Sequence, residues 1–487
     1  MRLGQTSIIH FASRFSSSVL GFVATVFIGR ILGSNGLGTY YLVLSMIAWL
    51  GILTKMGVPG AITKRISEGE SQSTYAIAGV SISAILFVAV AICVILFRES
   101  VNSYIGYPAA EFVVLLLFVN LAQSLVNAVL KGQSLVHVSG IFNPIRTGTR
   151  SIVQISTLFM GLGLVGLFAG YAIGYALVAV LGTWIVVQNF GRITLPRRSH
   201  FQSIISYAKF SWIGSLRSRA FNWVDVSILG FFVSSSLVGI YTAAWNVAVF
   251  LILFGGSLSQ TLFPEMSSLS ADEDREAVAD LFETALAFAG LILIPGLVGG
   301  TILGERLLRV YGEEFSRGAV VLSVLIVATL IQGYQRQFTN TLNAIDRPDL
   351  SFRVNTVFII GNVVLNLSII PRFGVVGAAT ATAASVAVSL GMAYAVLSSL
   401  ITFSIPVGEI AKQWIAAAIM GLFVYTGVWL ESTYSIVGLN IVVVFALVGL
   451  GAAVYFTTLL TISSRFRKTI VDNLPVQISL FGEDLRD

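Results

Sequence analysis

The chain has 487 residues, 56% hydrophobic and 11% charged, with a net charge of +6. Soluble domains carry roughly 25% charged residues, so a water-soluble fold is excluded, and the basic balance gives no ground for a nucleic-acid partner. About 14 crossings of about 20 residues each would consume roughly 280 residues, leaving short connections and no room for a separate catalytic domain.

In chain order, runs long enough to cross the hydrocarbon core fall at 6–32, 38–58, 74–97, 111–130, 146–164, 166–188, 208–232, 238–262, 280–303, 318–338, 350–371, 374–398, 409–430 and 437–461. The first carries Arg14 and Arg30 and no small-residue cleavage site, so it reads as a membrane helix rather than a cleaved signal. The second closes near Lys55, and Lys64 and Arg65 follow it. The third holds the single cysteine, Cys93, which has no partner for an intramolecular disulfide and reads as a small apolar filler. Short connections make tight antiparallel hairpins of 146–164 with 166–188, 208–232 with 238–262, and 350–371 with 374–398. The seventh run contains Arg217, Arg219 and Asp225. An acidic stretch from Glu265 to Glu276 follows the eighth and reads as a solvated, helix-capping link. Asn362 and Asn366 fall in the eleventh run and Thr382 in the twelfth. His10, His137 and His200 are scattered, with no Cys or carboxylate at metal-ligand spacing. Continuous apolar character without alternation disfavours a membrane barrel, so the expected fold class is an all-α polytopic membrane protein.

Cation placement sets orientation. With the N-terminus inside, twenty Lys and Arg fall in inner connections and tails, Arg146 and Arg150 among them, against six in outer connections. Both ends are therefore expected in the cytoplasm of a multi-pass cell-membrane protein.

An internal repeat is visible. Gly38-Thr-Tyr40 recurs as Gly239-Ile-Tyr241, and Gly163-Leu-Val-Gly166 recurs as Gly374-Val-Val-Gly377. The displacements are 201 and 211 residues, nearly equal. Six helices per half return the chain to the side where it began, so the halves are parallel and related by an axis along the membrane normal. The expected organisation is an N-terminal lobe over 1–200, a C-terminal lobe over 201–400, two further helices over 401–463 and a cytoplasmic tail over 464–487. A central cavity between two rocking lobes follows, with alternating access as the mechanism.

The stretch Arg30-Ile-Leu-Gly33-Ser-Asn-Gly36-Leu-Gly38-Thr-Tyr40 resembles the first outer turn of the Wzx-like polysaccharide exporters, a branch of the multidrug/oligosaccharidyl-lipid/polysaccharide superfamily. Lys64-Arg65, the Val-Gly-x-Tyr ending at Tyr241, and Asn343-Ala-x-x-Arg347-Pro348 also look like that branch, so the resemblance runs over essentially the whole chain. It implies a flippase, not an enzyme, moving a lipid-linked oligosaccharide on a polyprenyl or dolichyl phosphate or pyrophosphate from the inner to the outer leaflet, alongside glycan-assembly proteins.

Helix interiors fit such a cargo. An ionised side chain at a helix centre costs roughly 2.5–3.5 kcal/mol on insertion scales and tends to face water or a partner. Arg14, Arg217 and Arg219 open the two halves, and Lys55 is a weaker candidate; such cations suit a phosphate linker, because Arg holds phosphate oxygens through paired hydrogen bonds. Snorkelling toward inner headgroups is the alternative. Asp225, Asn362, Asn366 and Thr382 form an oxygen set suited to a monovalent cation, similar to the sodium site of the lipid II flippases, and spacing adds a backbone oxygen near Ala378. Asn366 stands where that pattern has an acid. The coupling ion would be sodium or a proton, with no other cofactor; pairing of Asp225 with an Arg such as Arg219 stays open. Two competing functions are weaker. A multidrug or metabolite antiporter would want acids in the first lobe, and a polysaccharide polymerase or glycosyltransferase would want a large outer loop, whereas the longest outer connections, around 98–111 and 304–317, are short.

Overall fold

The computed structural model describes residues 3–69, 71–190, 193–211, 213–271, 274–434 and 439–473, with the backbone alone for 3–15, 210–211, 213–218, 220, 252–262, 264 and 470–473. Among these residues there is no strand. The first part comprises α1 (Leu3–Lys55), α2 (Val58–Ser67), α3 (Gln72–Leu96), α4 (Arg98–Ile105), α5 (Ala110–Gly132), α6 (Val136–Phe159) and α7 (Gly163–Gln188). Next come α8 (Arg198–Ser211), α9 (Ile213–Phe232), α10 (Ser235–Ala271), α11 (Arg275–Ala289), α12 (Leu293–Arg309), a 3-10 turn (Glu313–Gly318), α13 (Ala319–Ala344) and α14 (Pro348–Ser398). The chain continues through α15 (Val407–Tyr434), α16 (Asn440–Ile462) and α17 (Ser464–Asn473). Nine helical stretches among the described residues are long and apolar enough to cross a bilayer. Their outer faces are greasy: Ile85 is 70% and Leu96 74% exposed on α3, surface that hydrocarbon accepts and water does not. The protein is a multi-pass membrane protein.

The two longest helices, α1 and α14, are each long enough for two crossings. At 1.5 Å per residue, α14 would measure about 77 Å and α1 about 80 Å, against a hydrocarbon core of about 30 Å. Each is broken at a glycine, Gly33 at φ 67°, ψ −174° and Gly374 at φ 54°, ψ −132°, conformations that a Cβ disfavours. In α14 the chain folds back on itself: Asn362 Nδ2 donates to Thr382 Oγ1 at 3.0 Å and Ser389 Oγ to the Val354 carbonyl at 3.2 Å. Its two arms are thus in antiparallel register, 362 level with 382 and 355 with 389. The repeat seen in the sequence carries into the backbone, since Gly163 and Gly374 both take positive φ, 53° and 54°.

Two sequence boundaries need correction. The second run does not end near Lys55. Met56 and Gly57 break the helix at φ 36° and 79°, and α2 then continues along α5: Lys55 reaches Asn120, Thr63 Oγ1 reaches the Ala128 carbonyl, and Ile66 packs on Gly132. Lys55 therefore sits at a break partway along this path. The fifth run begins at Val136, ten residues earlier than the apolar stretch suggested, so Arg146 and Arg150, counted with the inner connections although they stand at the start of the run 146–164, lie well inside α6. The first turns of α6 are polar and include Pro144, which disguised them. Removing Lys55, Arg146 and Arg150 leaves seventeen inner cations against six outer. The acidic link ends as expected of a cap, with Asp274 accepting the Ala277 N–H at 3.0 Å.

The two Gly-x-Tyr segments pack against each other. A Cβ on Gly38 would run into the Ser235 carbonyl, and one on Gly239 into the Ser34 carbonyl. Because 34 and 235, and 38 and 239, are each 201 residues apart, the contact is reciprocal. Ser34 Oγ and Ser236 Oγ share a hydrogen bond at 2.6 Å. Arg30 Nε donates to the Val310 carbonyl at 2.7 Å and Ser34 N–H to Glu314 Oε1 at 2.7 Å. At this end, then, α1 and α10 meet backbone to backbone.

Candidate functional site

Below that contact lies a cavity of about 500 Å³ between α1, α2, α5, α6, α7 and α9, within the range of ligand pockets. Five cations line it: Lys55, Lys131, Arg146, Arg150 and Arg219. Among the described residues no carboxylate does. None of the five has an ion-pair partner among the described residues.

Each wall follows from local sequence. Asn120, Gln123, Ser124, Asn127 and Lys131 recur at three- and four-residue spacing, so they occupy one face of α5, while its apolar residues Leu116, Leu121 and Leu125 are buried in the core. Lys55 Nζ donates to Asn120 Oδ1 at 2.7 Å, and Asn120 Nδ2 donates to the Tyr171 hydroxyl at 3.1 Å. Tyr171 stacks on Tyr175 at 4.1 Å. Arg146 and Arg150 are one turn apart on α6; the Arg146 guanidinium lies 4.9 Å above the Tyr175 ring, a cation–π placement that leaves its N–H groups free for another acceptor. Arg150 Nε is buried without a hydrogen-bond partner. Arg219 and Trp223, one turn apart on α9, complete the wall. Like charges gathered in a partly dehydrated space repel one another, and an unpaired buried charge is strongly destabilising. The arrangement is chemically complete only with an anion, and Arg forks favour phosphate oxygens.

Asp225 forms a second, separate cluster. It is 6% exposed, and its carboxylate accepts from Tyr241 OH at 2.5 Å, Thr382 Oγ1 at 2.6 Å, Asn366 Nδ2 at 2.8 Å and Asn362 Nδ2 at 3.4 Å. Asn366 Nδ2 also donates to the Asn362 carbonyl at 2.8 Å. Both partners can only accept, which fixes the amide orientation and leaves Asn366 Oδ1 buried with no partner. Among the described residues Asp225 makes no ion pair, so its pairing with Arg219 is not seen: Arg219 faces the cavity instead.

Of the residues singled out from the sequence, Lys55 and Arg219 share the cavity, and Asp225, Asn362, Asn366 and Thr382 share the cluster. Ala378 is fully buried in the same hairpin, opposite Asn366 by its register. The side chains of Arg14 and Arg217 lie outside the described residues. Sequence reasoning missed Lys131, Arg146, Arg150 and the amide stripe of α5. A usable signal existed: Arg146 and Arg150 are four apart, as are Asn120 and Ser124, and Asn127 and Lys131.

Comparison with known proteins gives the family. A family model described as polysaccharide biosynthesis protein matches residues 3–270. The probable flippase AglR of Haloferax volcanii is 30% identical over 475 residues, covering 96% of this chain and 98% of that protein. The probable low-salt glycan biosynthesis flippase Agl15 of the same organism is 27% identical over 475 residues, covering 97% and 99%. The fold is similar to that of the lipid II flippase MurJ in an inward closed conformation, with a TM-score of 0.74 at 17% identity over 95% of this chain and 100% of that one. The chain stands with transporters rather than enzymes, and it belongs to the polysaccharide biosynthesis protein family, the Wzx-like exporters its turn motifs resemble.

Proposed function

We propose that the protein flips a lipid-linked oligosaccharide, carried on a polyprenyl or dolichyl phosphate or pyrophosphate, from the cytoplasmic to the outer leaflet of the cell membrane. The observation that carries this reading is five cations and no carboxylate among the described residues of one cavity. A cationic drug would be repelled there, whereas a phosphate linker would neutralise the charge and the α5 amides would meet sugar hydroxyls. The relatives named as flippases support the same reading. In this architecture the chain crosses the membrane fourteen times, as two six-helix lobes over 1–200 and 201–400 plus two further helices, with both ends cytoplasmic. The reciprocal contact of Gly38 and Gly239 supports a two-fold relation between the lobes, closed at the outer end.

The direct experiment reconstitutes the protein in vesicles with a fluorescent polyprenyl-pyrophosphoryl sugar and follows transbilayer movement. Saturable stimulation inhibited by unlabelled lipid is expected; movement no faster than in empty vesicles would overturn the reading. Alternating access has its own check. With Cys93 replaced by Ser, the pair Ser34→Cys and Ser236→Cys should form a disulfide that stops transport until reduction, and oxidised protein that still transports would show that this end need not open.

Asp225 is read as the coupling site. Four uncharged donors hold the carboxylate, and the unpartnered Asn366 oxygen is available to sodium; a proton would neutralise the same group. Asp225→Asn should remove the ion dependence of transport while leaving the cavity cations in place. An ion dependence unchanged in that variant would exclude this role.

A further inference from the structure

A second polar chamber lies in the C-terminal part of the chain. It measures about 20 Å³ and is bounded by Gln332 and Gln335 of α13, Asn355 and Ser389 on the two arms of α14, and Phe221 and Phe358. That is room for a single water or a dehydrated monovalent cation. Two of its amide oxygens have no hydrogen-bond partner. Asn355 Nδ2 donates to the Ser351 carbonyl at 2.7 Å, which leaves Asn355 Oδ1 buried without a partner, as is Gln332 Oε1. Ser389 Oγ accepts from Gln335 Nε2 at 3.2 Å and donates to the Val354 carbonyl at 3.2 Å, keeping one lone pair. Gln332 and Asn355 are each only 8% exposed. Buried oxygens left unpaired in this way are costly, and unpaired oxygens on residues that bound one small space are what a cation requires.

The hairpin register links this chamber to Asp225. Asn355 opposite Ser389 repeats, seven residues away on both arms, the Asn362 opposite Thr382 of the Asp225 cluster. Two helix turns, about 10 Å, separate the two rungs. Phe221 is one turn before Asp225 on α9, and its ring lies 5.7 Å from that of Phe358, at the level between the rungs. The chamber has the amide and hydroxyl side chains of the Asp225 cluster without its carboxylate. Such a site binds weakly, as a position on a route must if an ion is to leave it.

We propose that this chamber is a transit site through which a monovalent cation reaches Asp225, passing the Phe221 and Phe358 rings. The proposal rests on the reading of Asp225 as the coupling site. The test uses the purified full-length protein and radioactive sodium, measuring equilibrium binding and the rate of loading. Gln332→Leu with Asn355→Leu should leave equilibrium affinity within about twofold of the parent while slowing loading about tenfold or more, the signature of a route rather than a destination. Asn355→Asp supplies the missing carboxylate, so in an Asp225→Asn background it should restore binding of one sodium ion; this variant decides the matter if the double leucine variant does not fold. If the parent binds sodium through Asp225 but the leucine variant loads at the parent rate, or the Asn355→Asp variant binds none, the chamber holds water only and the transit site is overturned while the Asp225 reading stands. A parent that binds no sodium, or an Asp225→Asn variant that binds it fully, brings down both.

Discussion

Replacing Arg150 with Ala should weaken glycan-lipid transport roughly thirtyfold while leaving the protein in the membrane and as stable as before, or more so. The magnitude follows from losing one charge-assisted hydrogen bond of about 2 kcal/mol, at about 1.4 kcal/mol per tenfold. Stability provides the discriminating readout. Arg150 has no acid partner among the described residues and an unpartnered Nε, and it shares its cavity with four other cations. Removing it relieves like-charge repulsion, so the detergent melting temperature should hold or rise. A residue kept for packing or for an internal ion pair would do the opposite, and a fall of several degrees with normal transport would exclude a substrate role. Arg150→Lys retains the charge but not the planar fork and should fall between parent and Ala. Arg219→Glu, which puts an anion into the cavity, should be more damaging than Arg219→Ala, and equal effects would show that charge is not what the site reads.

Gly38→Val and Gly239→Val should each shift the protein toward a state open at the outer end, and by similar amounts. Every side chain larger than hydrogen meets a backbone carbonyl there, Ser235 for Gly38 and Ser34 for Gly239, and a backbone cannot swing aside as a long side chain can. Overpacking costs about 1–3 kcal/mol, which moves a two-state equilibrium by roughly five- to 150-fold. Spin-label distances across the outer ends of α1 and α10, or the labelling rate of a cysteine at position 34, would report the shift. Matching effects are the consequence of a reciprocal contact. A strong effect at one glycine and none at the other would mean that the two lobes do not use these segments equivalently.

The glycines show how much of this was legible beforehand. Gly-x-Tyr at 38–40 and at 239–241 stands out as a repeat, yet nothing in one dimension says that the two copies touch. The Asp225 cluster was legible for a different reason. Asn362 and Asn366 share a helix face by spacing alone, and the short turn at Gly374 brings Thr382 back alongside, so local geometry carried most of the inference. The fourth donor, Tyr241, lies sixteen residues beyond Asp225, on the next helix, and spacing gave no reason to choose it.

The cavity was the hardest part to read. Lys55 and Arg219 were candidates because an ionised side chain within an apolar run has to be explained. Arg146 and Arg150 were hidden because α6 opens on a polar, proline-containing stretch, and a window that measures mean hydropathy places the helix start too late. The amides of α5 were overlooked because Asn and Gln carry no charge and barely lower the hydropathy of an otherwise apolar helix.

The sequence by itself determined the membrane class, the multi-pass helical fold, the family and three of the four residues grouped around Asp225. Each depends on composition, on period or on a short segment, where residues near in the chain remain near in space. The tertiary structure alone decided which cations share a cavity, that no acid among the described residues neutralises them, and that Asp225 is held by uncharged donors. Those facts depend on which faces of α1, α5, α6, α7 and α9 turn toward one another. Helix-to-helix packing sets that, through contacts between residues as far apart as Lys55 and Asn120 or Asp225 and Asn366.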